Sequence, residues 1–184
     1  MRIITGTAKG IRLESLEGET TRPTIDRVKE AIFSMIQFDI EGRSVLDLFA
    51  GTGQLGLEAL SRGADKALFC DFNNAAFEII KTNAKKTKLY EKSRILKTDY
   101  KELIKGCEGR EKFDIIFLDP PYSSDYLADS LKRVKNADIL ADRGIVVCES
   151  ESPEAITADG YDVLRFAKYG KISVTLLARE GENE

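Results

Sequence analysis

The 184-residue sequence contains no histidine, and that absence removes several classes of chemistry at once. His-dependent nucleophilic triads, His general bases and His-ligated zinc sites are excluded, leaving carboxylates, amides, lysines and tyrosines for any reaction. Cysteine is scarce: Cys70, Cys107 and Cys148 are odd in number and form no CxxC pair, so reduced, buried thiols are expected. No apolar run approaches the length of a membrane span. The opening Met1-Arg2-Ile3-Ile4-Thr5-Gly6 has too short an apolar stretch after its charge for a signal peptide, so a cytoplasmic location is expected. An excess of positive charge is missing as well. The net charge of −3 does not by itself announce a nucleic-acid binder.

Distribution of charge says more than its sum. Residues 1–13 carry Arg2, Lys9 and Arg12 with no acid, whereas residues 81–97 carry seven basic residues against Glu91 alone. The second cluster reads as a solvated helix end. Hydrophobic residues at 42% and charged residues at 32% describe a globular chain with room for one sizeable core.

The chain is organised around Asp119-Pro120-Pro121-Tyr122, which closes the apolar run Phe113-Asp114-Ile115-Ile116-Phe117-Leu118. Such a run reads as a buried strand, and its last carboxylate falls at the carboxyl edge of a sheet, where open α/β folds bind ligands. Two consecutive prolines fix φ and remove two N–H donors, so Asp119 and the Pro120 carbonyl become acceptors on a stiff shelf. Tyr122 adds a flat face. Two acceptors beside an aromatic plane suit a planar base held by its exocyclic amino group, the geometry that an amino-methyltransferase needs. On its own, DPPY is also an ordinary strand-to-turn exit.

The rest of the pattern supplies the context. Arg2 to Leu13 reads as a short extended pair turning near Lys9-Gly10, and Thr24 as the N-cap of a helix with Val28, Ala31, Ile32, Met35 and Ile36 on one face. Residues 1–43 are expected to form a hairpin-and-helix extension, and residues 44–184 the main domain. There the predicted elements alternate: strand 44–49, helix 55–62, strand 66–71, helix 73–87, a strand 94–97 ending at Asp99, strand 113–118, helix 126–134 and strand 144–149. Alternation of this kind builds a mainly parallel sheet with helices on both faces. Residues 161–166 and 172–177 read as a terminal hairpin joined through Tyr169-Gly170-Lys171. A parallel nucleotide-binding sheet finished by an antiparallel hairpin is the Rossmann-like class I methyltransferase topology.

Gly51-Thr52-Gly53-Gln54-Leu55-Gly56 satisfies GxGxxG between a strand and a helix, with Asp71 twenty residues after Gly51. Taken alone, this fits a nicotinamide dinucleotide equally well. Asp47 separates the two. A carboxylate there repels a pyrophosphate but attracts the ammonium of S-adenosylmethionine. Asp71 then suits the ribose hydroxyls, and Asp99 the adenine amino group. Acids at 47, 71, 99 and 119, each closing a predicted strand, are hard to explain as helix caps alone.

With these residues in place the chain resembles a known family, the RsmD-type bacterial 16S rRNA guanine-N2 methyltransferases. The resemblance runs from MRIITGTAKGIRL through TRPT, DRVKEAIF, LDLFAGTGQLGLEALSRGA and FLDPPY to the YGK hairpin. It implies a pocket for S-adenosylmethionine at Asp47, Ala50, Gly51, Gly53, Asp71, Phe72 and Asp99, with Asp119, Pro120, Pro121 and Tyr122 receiving a flipped guanine. It also implies that Arg2, Lys9, Arg12, Arg22, Arg27 and Lys29 face 16S rRNA within the small ribosomal subunit. Asp71 departs from the glutamate more usual in the family. Three other readings stand beside this one: a DNA adenine amino-methyltransferase, a non-catalytic RNA-binding module on the same fold, and a nicotinamide oxidoreductase. No metal is required.

Overall fold

In the computed structural model the described residues are 1–16, 23–121 and 125–182. Apolar residues of high β propensity make the centre of a seven-stranded sheet, and their alternation decides which face each side chain meets. On β4 (Phe113–Leu118), Ile115 and Phe117 enter one core cluster while Ile116 and Leu118 enter the other. The strand order is β3-β2-β1-β4-β5-β7-β6, built from β1 (Ser44–Asp47), β2 (Lys66–Asp71), β3 (Ser93–Lys97), β4, β5 (Leu140–Ser150), β6 (Tyr161–Tyr169) and β7 (Ile172–Arg179). The first five of these in spatial order pair in parallel, and β7 pairs antiparallel with both β5 and β6. The expected class I topology with its terminal hairpin is therefore present. No described helix is long and apolar enough to cross a membrane.

Helices cover both faces. The first face is packed by α1 (Pro23–Met35), α2 (Gln54–Ser61) and α3 (Asn74–Lys86), through Ile32, Leu57 and Ile80 among others. The second is packed by α4 (Tyr100–Cys107) and α5 (Tyr126–Asn136), through Leu103, Ile104, Leu131 and Val134. Gly56 lets α2 lie close on the sheet, because a Cβ there would come within 2.3 Å of the Phe69 ring on β2.

Three local expectations need correction. The amino-terminal extended pair shrinks to a single antiparallel bridge, Arg2 to Arg12, held by a few backbone hydrogen bonds such as Ile3 N–H to the Ile11 carbonyl. Thr24 is the second residue of α1 and not the position before it. The helix begins at Pro23, whose fixed φ and missing N–H suit a first helical position. The third strand stops at Lys97, and Asp99 instead caps α4, accepting a hydrogen bond from the Lys101 N–H at 2.8 Å. The amino-terminal segment is also more than a surface attachment. Ile3, Ala8 and Leu13 are buried in the same cluster as Val45 and Leu57.

Candidate active site

The carboxyl ends of the parallel strands open into a cleft of about 810 Å³. That volume lies within the range of roughly 300–1,000 Å³ typical of small-molecule sites. Each strand end contributes to its wall: Asp47 from β1, Asp71 and Phe72 from β2, Thr98 beyond β3, Asp119 to Pro121 from β4, and Glu149 from β5. The β6–β7 turn closes one side with Gly170, Lys171 and Ile172.

The loop leaving β1 is shaped for close backbone approach. Gly51 and Gly53 have φ of 54° and 78°, left-handed values that glycine adopts without strain. The Gly53 N–H donates to the Ala50 carbonyl at 2.7 Å, which tightens the turn, and the Ala50 N–H donates to the Cys70 carbonyl at 2.9 Å, which ties it to β2. Ala50 and Gly51 line the cleft; Gly53 faces Ile80 instead and serves the turn and its packing.

Asp47 is buried, and its Oδ2 accepts a hydrogen bond from the Gly56 N–H in the first turn of α2 at 3.0 Å. Burial pushes its carboxyl up to about 7, the Gly56 hydrogen bond works against that rise, and the nearby Asp71 charge adds to it. A cation beside Asp47 would restore the ionised form. Asp71 accepts from the Gly51 N–H at 3.0 Å and from the Asn73 N–H at 2.8 Å, so the shorter acid is fixed between the glycine loop and the start of α3. Phe72 beside it is 74% exposed and presents an open aromatic face to the cleft. Asp99 is exposed and engaged as a helix cap, while its neighbours Thr98 and Tyr100 line the cleft.

Asp119, Pro120 and Pro121 border the same cleft as Asp47 and Asp71. Tyr122 lies outside the described residues, as does Arg22. Of the basic set, Arg2, Lys9, Arg12 and Arg27 are exposed. Lys29 is not. Its side chain is 1% exposed, donates to the Arg2 carbonyl and pairs with Glu58 at 3.6 Å, because α1 turns that position onto the core beside Phe33. A lysine so enclosed has no surface to offer RNA.

Sequence reasoning passed over the polar residues that hold the cleft wall in place. Glu58, fully buried, accepts from the Ile4 and Thr5 N–H groups and pairs with Lys29 and Arg62. Asn83 donates to the Glu14 and Thr52 carbonyls and accepts from the Glu14 N–H, joining the amino-terminal segment, the glycine loop and α3. A lone acid inside the apolar helix QLGLEALS was the available signal for Glu58. An aromatic group was missed too: Phe49 stacks on Tyr126 at 6.2 Å and meets Tyr100 at 5.2 Å, and both Phe49 and Tyr100 face the cleft.

Residues 1–178 match the family described as conserved hypothetical protein 95. A Bacillus subtilis (strain 168) protein provisionally named rRNA methyltransferase YlbH is 36% identical, over 98% of this chain and 100% of the relative. Ribosomal RNA small subunit methyltransferase D of Haemophilus influenzae is 31% identical, over 96% of this chain and 92% of its own. A solved Escherichia coli structure provisionally described as methyltransferase yhhF shares 30% identity over 98% of both chains, with a TM-score of 0.87. The chain therefore belongs to the conserved hypothetical protein 95 family, the RsmD-type methyltransferases that its sequence resembles.

Proposed function

We propose that this protein transfers a methyl group from S-adenosylmethionine to the exocyclic N2 amino group of a guanine in 16S rRNA, acting in the cytoplasm on an assembling or assembled small ribosomal subunit. The observation that carries the reading is the meeting of two half-sites on one cleft. Asp47, Asp71 and the glycine loop form one half, and Asp119 with its two prolines forms the other. Relatives named as small subunit rRNA methyltransferases support the class of substrate.

The residues present fit the cofactor. Asp47 offers a buried carboxylate to an ammonium, Asp71 an acceptor to ribose hydroxyls, Phe72 a face for adenine, and Gly51 a backbone free of side-chain bulk. Asp99 keeps acceptor capacity beside its capping bond, since an ionised carboxylate has several lone-pair sites. Bound there, the cofactor supplies an electrophilic methyl group. The task of Asp119 and the Pro120 carbonyl is to accept the two amino hydrogens of the target base, which turns the nitrogen lone pair out of the ring plane and towards that methyl group. Tyr122 would stack on the extruded base. Exposed Arg2, Lys9, Arg12 and Arg27, with Arg22, would hold rRNA phosphates, the residues of the 1–43 extension contributing the RNA-facing surface.

The test is transfer from labelled S-adenosylmethionine to small subunits lacking the modification, with free rRNA and duplex DNA in parallel, followed by nucleoside analysis. Label in N2-methylguanosine from subunits is expected. Label in methyladenine from DNA would overturn the substrate and keep the fold.

A further inference from the structure

The buried amide oxygen of Gln54 has no hydrogen-bond partner among the described residues. Buried acceptors left unmade are uncommon and unfavourable, so a specific one needs an explanation. The other such atom, Ser130 Oγ, belongs to α5 and does not border the cleft; Gln54 does. Gln54 is also the first residue of α2, two positions before the Gly56 N–H that occupies one oxygen of Asp47.

Resting on the cofactor assignment above, we infer that Gln54 is a binding residue for the amino-acid end of the cofactor, its Oε1 accepting a hydrogen bond from the α-ammonium group. Topology selects that donor. Across the sheet the strands run β3, β2, β1, so the base end of a nucleoside ligand at Thr98 and the ribose at Asp71 leave the amino-acid end at the β1 exit, where Gln54 and Asp47 both border the cleft. An ammonium has three N–H donors and needs more than one acceptor when it leaves water. Asp47 has one oxygen already engaged by Gly56, and Gln54 offers a second, uncharged acceptor at the same end.

The experiment compares two probes by calorimetry on wild-type protein and on Gln54→Leu, which keeps most of the side-chain volume and removes the acceptor. S-adenosylhomocysteine carries the ammonium; 5′-methylthioadenosine carries the same nucleoside without it. Gln54→Leu is expected to weaken S-adenosylhomocysteine roughly ten-fold, the effect of losing one charge-assisted hydrogen bond, and to leave 5′-methylthioadenosine within about two-fold. Gln54→Ala should repeat the pattern, and retained nucleoside binding reports that each variant is folded. Unchanged S-adenosylhomocysteine affinity, or equal loss for both probes, overturns the inference. Wild-type protein that binds neither probe overturns the cofactor assignment itself, and the role of Gln54 with it.

Discussion

Lys29 and Glu58 form an ion pair at 3.6 Å in the interior, with side chains 1% and 0% exposed. Burial pulls the Lys29 ammonium below the ordinary lysine range, and the Glu58 charge pulls it back up. Glu58 also binds the Ile4 and Thr5 N–H groups, so one carboxylate fastens the amino-terminal segment to α2 beneath the cleft.

Removing Glu58 should therefore cost more than removing a surface acid. Glu58→Ala leaves a buried lysine without its carboxylate partner, holding only the Arg2 carbonyl, and two backbone donors unpaired, and a loss of about 3–5 kcal/mol of unfolding free energy is expected. Urea denaturation measures it. A change below about 1 kcal/mol would show that the pair is not enclosed as described.

Asp47 gives a pH dependence with a definite sign. Its folded-state value of about 7 lies above the ordinary 3.8, so ionising it opposes folding. That penalty is absent below pH 3.8, grows as pH rises and is complete above about 7. Asp47→Asn should accordingly stabilise the free protein at pH 8 and change little near pH 4, while weakening cofactor affinity. Wild-type affinity for S-adenosylhomocysteine should rise as pH increases through 7. Urea unfolding and calorimetry across this range are the checks, and a variant less stable than wild type at pH 8 would contradict the assignment.

Gly56 sets two effects against each other. Alanine in a helix interior is favoured over glycine by about 1 kcal/mol, yet the added Cβ would sit 2.3 Å from the Phe69 ring. Overpacking of that kind costs about 1–3 kcal/mol. Gly56→Ala should be net destabilising by urea denaturation, and Phe69→Leu in the same chain should recover part of the loss. A stabilised single variant would mean that α2 lifts away from the sheet at little cost.

The RNA-facing assignment predicts a salt signature. Arg12→Ala and Arg27→Ala should each weaken rRNA binding and reduce the slope of log affinity against log salt by about 1, because each removes one phosphate contact. Binding titrations between low and physiological salt measure the slope. Slopes unchanged in both variants would remove these residues from the interface.

The strands of the parallel sheet, its terminal hairpin and the acid-lined edge were legible because their signals are local, whereas the spatial order of the strands is set by crossovers that no local pattern records. Continuous apolar runs ended by Asp47, Asp71 and Asp119 mark strands that deliver acids to one edge, and GxGxxG marks the turn between β1 and α2. The buried face of α1 was half legible. Val28, Ile32 and Ile36 show helical spacing, but Lys29 and Phe33 share their face, and the partner that makes Lys29 tolerable there lies on another helix, at Glu58. No local pattern announces such a pair. Asp99 misled for a different reason: an acid after a short apolar run reads equally as a strand end and as an N-cap. The stripe Tyr100, Leu103, Ile104 and Cys107, buried at helical spacing along α4, favours the cap.

The division of labour between the two halves of the cleft is tested most directly with Asp119→Ala. S-adenosylhomocysteine binding and labelled methyl transfer to unmodified small subunits should be measured on the same preparation. Binding within about two-fold of wild type with transfer abolished is the expected result, since Asp119 is assigned to the target amine alone. Normal turnover by that variant would contradict the shelf, and equal loss of binding and transfer would move Asp119 into the cofactor half.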